Sequence, residues 1–179
     1  MTEVAVQYGT ALYELARDES LVETILEQCS VLAECFQAEP GFTQLLCSPS
    51  IPKQERCQLV DSSFREQIHP YLLNFLKILT EKGYVRHFSG CCKVFRQHYN
   101  EDNGIVPVTA VTAQPLSDEL KEKLIKKLST VTGKTIDLTC RIDADCLGGV
   151  RLDFDGKQVD GTVRRRLEDI RGILTNTVL

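Results

Sequence analysis

A chain of 179 residues with 42% hydrophobic and 26% charged side chains has apolar content for one medium core or two small ones, which excludes a disordered polyelectrolyte. No window approaches the roughly eighteen apolar residues of a membrane span, and Met1 to Ser20 lack the basic and apolar blocks of a secretory signal, so a soluble, cytoplasmic protein is expected. The net charge of −4 is unevenly placed: residues 1–50 carry one basic side chain, Arg17, against eight acidic ones, which argues against nucleic acid as the main partner and suits a basic peptide or helix.

From Val4 to about Tyr99 the apolar spacing is helical. Ala5, Tyr8, Leu12 and Leu15 form one stripe, and Val22, Ile25, Cys29, Leu32 and Phe36 a second. Pro40-Gly41 reads as a break before a short helix carrying Phe42, Leu45 and Leu46, which Ser48-Pro49 ends. Pro52 suits the first turn of a fourth helix with Leu59, Val60 and Phe64. Over residues 70–81 the side chains Tyr71, Leu72, Phe75, Leu76, Ile78 and Leu79 cover roughly 160° of a helical wheel. Such a fifth helix is either central to its domain or shared with a partner. Gly83 interrupts it, and Val85, Phe88, Cys92, Phe95 and Tyr99 continue as a sixth.

Asn100 to Gly104 is a polar break and the expected boundary between a domain of residues 1–103 and one of residues 104–179. Beyond it the period becomes strand-like. Ile105 to Ala113 is rich in Val and Thr, with Pro107 expected to confine it to an edge or a strand start. Ser117 reads as the N-cap of a helix with Leu120, Leu124 and Leu128 facing inward, closed by Gly133. Ile136, Leu138, Cys140 and Ile142 alternate with polar residues as a second strand with one wet face. Val150, Leu152 and Phe154 alternate in a third, Asp155-Gly156 fits a two-residue turn, and Lys157 to Val159 returns. Asp160 can then cap a last helix whose stripe is Val163, Leu167, Ile170 and Leu174. The fold class is α+β: a six-helix bundle followed by a small domain with a short sheet and two helices.

No residue pattern indicates catalysis. His69, His87 and His98 share no metal-ligand spacing and read as surface or capping groups. None of the eight cysteines lies in a Cys-x-x-Cys pair, so buried reduced thiols are expected, with a redox switch at the adjacent Cys91 and Cys92 as the other possibility. Gly148-Gly149 near Arg164, Arg165 and Arg166 could serve an anion, but neither phosphate-loop pattern is present. The double glycine reads better as a bend where backbone approaches backbone. No cofactor and no metal is expected.

Taken together, certain residues resemble the delta subunit of bacterial F-type ATP synthases, whose mitochondrial relatives are called the oligomycin sensitivity conferring protein. They are Tyr8-x-x-Ala11-Leu12-Tyr13-x-Leu15-Ala16, Pro49-x-Ile51 and Asn74-Phe75-Leu76-x-x-Leu79, then Val106, Val108, Val111, Ala113, Pro115 and Leu116. Asp143-x-x-x-Leu147-Gly148-Gly149-Val150 and Asp160-x-x-Val163-x-x-x-Leu167 complete the set. The resemblance implies a non-catalytic connector of the peripheral stalk in a proton-translocating enzyme, holding the catalytic head against rotor torque. It implies a groove between the first and fifth helices for an amino-terminal helix of the alpha subunit, formed by Tyr8, Ala11, Leu12 and Leu15 with Leu72, Phe75, Leu76 and Leu79. It further implies that the carboxy-terminal domain grips the end of the stalk b subunit, with Arg164, Arg165 and Leu167 as candidate contacts and Gly148 and Gly149 in a structural role. The location implied is the cytoplasmic face of the bacterial cell membrane, reached only through the complex. A small anion- or nucleotide-binding regulator is the alternative.

Overall fold

The computed structural model describes residues 2–146, 148–154 and 157–161. The chain separates into two compact units, Met1–Tyr99 and Asn100–Leu179, and its fold is α+β.

The first unit is built of α1 (Glu3–Asp18), α2 (Val22–Ala38), α3 (Pro40–Cys47), α4 (Lys53–Phe64), α5 (Pro70–Lys82), a 3-10 turn at Val85–His87 and α6 (Phe88–Asp102). Local chemistry sets the ends. The hydroxyl of Thr2 accepts from the backbone N–H of Ala5 at 3.4 Å, and Glu3 and Arg17 sit at the ends of α1 that the helix dipole favours. Helix α5 starts at Pro70, where a missing N–H costs nothing, and His69 Nδ1 accepts from the Tyr71 N–H at 3.3 Å. It stops at Gly83, whose φ of 72° lets Tyr84 donate to the Leu79 carbonyl at 2.7 Å and Gly83 to Thr80 at 3.2 Å.

Three boundaries differ from the sequence reading. Helix α3 begins at Pro40 itself, because proline is tolerated in a first helical turn. Pro52 is the residue before α4, and α4 begins at Lys53. Helix α6 runs through the polar break to Asp102, and the chain turns only at Gly104, with φ 61°.

Ile25, Leu46, Val60, Leu72, Leu79, Phe88 and Phe95 are fully buried in the centre of this unit. Phe95 meets Tyr13 edge-on at 5.2 Å between centroids, and Phe88 meets Phe36 at 5.2 Å.

The second unit contains β1 (Ile105–Thr112), α7 (Asp118–Thr132), β2 (Thr135–Ile142), a 3-10 turn at Ala144–Cys146, β3 (Val150–Phe154) and β4 (Lys157–Asp160). The sheet order is β2-β1-β3-β4. β1 and β2 are parallel, joined through α7, while β3 runs antiparallel to both β1 and β4. Pro107 therefore lies in a central strand, not at an edge. Among the described residues β3 pairs with β1 from Val108 onward, and Pro107 stands opposite Asp137 of β2.

The alternation in β2 fades along its length: Ile136 is buried and Leu138 half-buried, but Cys140 and Ile142 are exposed, as an edge position allows. Likewise α7 buries no residue completely. Leu124 and Leu128 are half-buried, whereas Leu120, expected to face inward, lies in the first turn and is 52% exposed. Asp160 ends β4 opposite Arg151. The turn at Asp155-Gly156 and the helix expected over Val163 to Leu174 lie outside the described residues.

Candidate protein-binding site

The arrangement of α1 and α5 is best read by angle. On α1 the buried side chains are Ala5, Gly9, Leu12, Tyr13 and Ala16, an arc of about 100° at 100° per residue. Val4, Tyr8, Ala11 and Leu15 fall within about 60° of one another along one margin of that arc. Tyr8 is half-buried, Ala11 is exposed and Leu15 is 40% exposed.

On α5 the buried arc comprises Leu72, Leu73, Phe75, Leu76, Leu79 and Thr80. It spans about 160°, as wide as the apolar arc of the sequence but rotated by about 60°. Leu73 and Thr80 enter at one edge, and Tyr71 and Ile78 are left over at the other. Ile78 is 46% exposed and Asn74 beside it is also exposed.

Tyr8, on the α1 margin, reaches the buried arc of α5. Its ring centroid lies 6.5 Å from that of Phe75 and 6.1 Å from that of Tyr84. Tyr8 of α1 thus packs against Phe75 of α5 and against Tyr84 just beyond it. Several residues named for the implied groove are core, however: Leu12, Leu72, Leu76 and Leu79 are at most 3% exposed, and Phe75 is nearly buried. They hold the two helices in place and leave little surface for a ligand. The correction has a simple cause. A helix central to a bundle spends its apolar arc on the bundle, and only the part that overhangs the core faces outward. Ile78 and Tyr71 are that overhang on α5, and Val4, Tyr8 and Leu15 on α1. The signal for Ile78 was present in the sequence, as one end of the wide arc.

Charge frames the site. Glu3, Glu14 and Asp18 are exposed on α1, with Glu14 and Asp18 adjoining the Ala11–Leu15 margin by angle. Lys77, beside Ile78 on α5, is paired with Asp61 of α4. The hydrogen bond from Lys77, with Arg65 adding to it, holds the Asp61 carboxyl below its ordinary range against the opposing effect of burial. Asp61 is shared between Lys77 and Arg65, while Glu14 and Asp18 on α1 are exposed.

The three histidines take part in local hydrogen bonds. His69 caps α5, Thr2 bonds His87 at 3.3 Å, and Thr10 bonds His98 at 3.0 Å. All eight cysteines are free. Cys29, Cys91 and Cys146 are buried, but Cys35 and Cys140 are exposed, so uniform burial does not hold. Gly148 and Gly149 have φ of 147° and 84°, conformations that glycine adopts without strain. They bend the chain between the 3-10 turn and β3. Leu147, Arg164, Arg165, Arg166 and Leu167 lie outside the described residues. Among the described residues there is no group of His, Cys, Asp and Glu suited to a metal ion, and no helix long and apolar enough to cross a membrane.

Comparison with known proteins gives the context of this geometry. The ATP synthase subunit delta of Alkaliphilus metalliredigens is 30% identical over 176 residues, covering 98% of each chain. That of Alkaliphilus oremlandii is 29% identical over 176 residues with the same coverage, and that of Clostridioides difficile 26% over 176 residues, covering 98% of this chain and 97% of the other. In fold, the chain matches one in the cryo-EM structure of the Toxoplasma gondii mitochondrial ATP synthase hexamer with a TM-score of 0.73, covering 97% and 98% of the two chains at 17% identity. A family model described as ATP synthase delta (OSCP) subunit matches residues 4–174. Matched along nearly its whole length, this chain belongs to the ATP synthase delta (OSCP) subunit family.

Proposed function

We propose that this chain is the static connector of the peripheral stalk in a proton-translocating ATP synthase. Residues 1–103 grip an amino-terminal helix of the alpha subunit in the catalytic head, and residues 104–179 grip the end of the membrane-anchored b subunit. The connector is non-catalytic and lies at the cytoplasmic face of the bacterial membrane, attached only through the complex. Its task is to hold the head against rotor torque.

The observation that supports this reading most is the apolar side chains left exposed or half-buried on the two helices, Tyr8, Ala11 and Leu15 on α1 and Ile78 on α5, with the helices linked by the Tyr8–Phe75 contact. Exposed apolar margins on neighbouring helices are what a helix-in-groove site needs. The acids of α1 add attraction for a basic incoming helix and speed its encounter.

Calorimetric titration of the chain with a peptide from the alpha-subunit amino terminus tests it. Leu15→Asp and Ile78→Asp are each expected to weaken binding about tenfold or more, the scale of a central interface contact, with thermal unfolding unchanged because both side chains are already solvated. Equal affinity in both variants and wild type would overturn the groove assignment.

A further inference from the structure

Helices α2 and α6 meet along a seam that brings two thiols together. Phe88, Cys92 and Arg96 recur at i, i+4 and i+8 on α6. Phe88 meets the ring of Phe36 on α2 edge-on at 5.2 Å, and Arg96 donates to the hydroxyl of Ser30 on α2 at 2.8 Å. Between these two contacts Cys92 shares a hydrogen bond with Cys29. Phe88 and Cys92 lie about 40° apart on α6, and Cys29 and Phe36 about 20° apart on α2. One face of each helix therefore carries both the ring contact and the thiol contact.

This pair differs from the one that adjacency in the sequence suggests. Cys91 and Cys92 point about 100° apart on one helix, where successive side chains do not face each other. Cys29 and Cys92 do face each other across the seam. They also differ in access: Cys29 is 1% exposed in the core, whereas Cys92 is half-buried and packs at the border of the core. One thiol can meet a solute and the other stands behind it, the arrangement of an attacking and a resolving cysteine.

We propose that Cys29 and Cys92 form a reversible disulfide that staples α2 to α6 under oxidising conditions. The oxidant is a low-molecular-weight disulfide. The Cys92 sulfur, as the thiolate, attacks one sulfur of the oxidant and displaces one thiolate, which leaves a mixed disulfide on Cys92. The Cys29 thiolate then attacks the Cys92 sulfur and displaces the second. The two cysteine protons pass to the displaced thiolates, the cysteines lose two electrons, and the oxidant is reduced to two thiols. Burial and the Cys29 contact hold Cys92 in the thiol form, so the staple answers sustained oxidation more than a brief pulse. Once formed, the bond closes a long loop, which restricts the unfolded chain and stabilises the first unit.

The test incubates the full chain with oxidised glutathione in wild type, Cys91→Ala and Cys92→Ala, blocks the remaining thiols with iodoacetamide and maps the peptides. Cleavage at glutamate isolates Cys29, between Glu27 and Glu34, from Cys35. Fragmentation of the linked peptide assigns the partner sulfur in wild type, independently of how the variants fold. A Cys29–Cys92 link in wild type and Cys91→Ala, absent from Cys92→Ala and removed by dithiothreitol, supports the proposal. So does a melting temperature raised by about 5 °C or more in oxidised wild type and not in Cys92→Ala. A link through Cys91 overturns the pairing. A glutathione adduct that persists on Cys92 with Cys29 free, or modification of exposed Cys35 while Cys29 and Cys92 both stay free, overturns the disulfide. A Cys29–Cys92 link that leaves the melting temperature unchanged or lower overturns the staple.

Discussion

Gly9 of α1 faces the carbonyl oxygen of Cys91 on α6 so closely that a Cβ added at Gly9 would stand 2.7 Å from that oxygen and 2.8 Å from the Cβ of Val94. The approach is mutual, since a Cβ at Gly90 would lie 2.9 Å from the Cβ of Ala5. The two helices cross where each presents a residue without a side chain. Gly9→Ala gains about 0.5–1 kcal/mol of helix propensity, yet it forces a methyl against backbone that cannot rotate away. Overpacking of this kind costs about 1–3 kcal/mol, so net destabilisation is expected. Gly41→Ala is the control: nothing lies within 4 Å of the added Cβ, and a neutral or slightly stabilising effect is expected. Urea unfolding midpoints of the two variants decide the matter.

Leu76 and Leu15 separate core from margin. Leu76 is 1% exposed, and Leu76→Ala is expected to cost about 2–5 kcal/mol through lost burial and the cavity left behind. A charge at Leu76 would unfold the unit and would report nothing about a groove. Leu15→Ala, at the solvated margin, is expected to change stability by less than about 1 kcal/mol. Comparable losses in the two variants would show that the α1 margin is structural.

Arg56 is a buried cation that closes a helix. It is 6% exposed and donates to the carbonyl of Leu46, in the last turn of α3, at 2.8 Å. A positive group at that end complements both the orphan carbonyl and the helix dipole. Arg56→Ala is expected to cost about 2–4 kcal/mol, from a charged hydrogen bond of about 1.5–3 kcal/mol and the packing of the side-chain stem. Arg56→Met keeps the stem but loses the same hydrogen bond, so a smaller loss of about 1.5–3 kcal/mol is expected. Equal losses would show that the charge, and not the stem, holds α3.

The thiols between α2 and α6 predict an alkaline weakness. Burial, with Cys29 nearby, pushes the Cys91 thiol up to about 11. Cys92 is also raised, first by its hydrogen bond with Cys29 and then by burial. In the unfolded chain a thiol ionises near about 8.5, so between that value and about 11 the native state binds more protons. The stabilising contribution is complete below the unfolded value and is lost as pH rises through this window. Urea midpoints are expected to fall from about pH 9 to 11, less steeply in Cys91→Ala. Exposed Cys35 should react with iodoacetamide at once and Cys91 only after opening; equal rates would contradict the burial.

Helix α5 illustrates how far sequence reasoning reached. Its period, its Pro70 start and its Gly83 stop were legible, because each rests on local chemistry: a missing N–H, a left-handed φ, an angle per residue. The apolar arc was also legible, as either central or shared. Which part of it faced the bundle was not, since the rotation of a helix about its axis is set by its neighbours. For the same reason the arc alone did not tell Leu72, Leu76 and Leu79, which the resemblance placed in a groove and which are buried, from Ile78, which stays exposed at its edge. In the second unit the strands were legible from alternation. The placement of Pro107 in a central strand was not, because it depends on which strands pair on either side of β1.

By itself, then, the sequence determined the described α-helices and strands, their order and the family to which the chain belongs, since these follow from local spacing and from motifs held in register along the chain. The tertiary structure alone decided which apolar side chains remain available to other proteins. That is a remainder, the apolar surface left after each helix has turned its best-fitting arc to the core, and it exists only once the helices have been packed together.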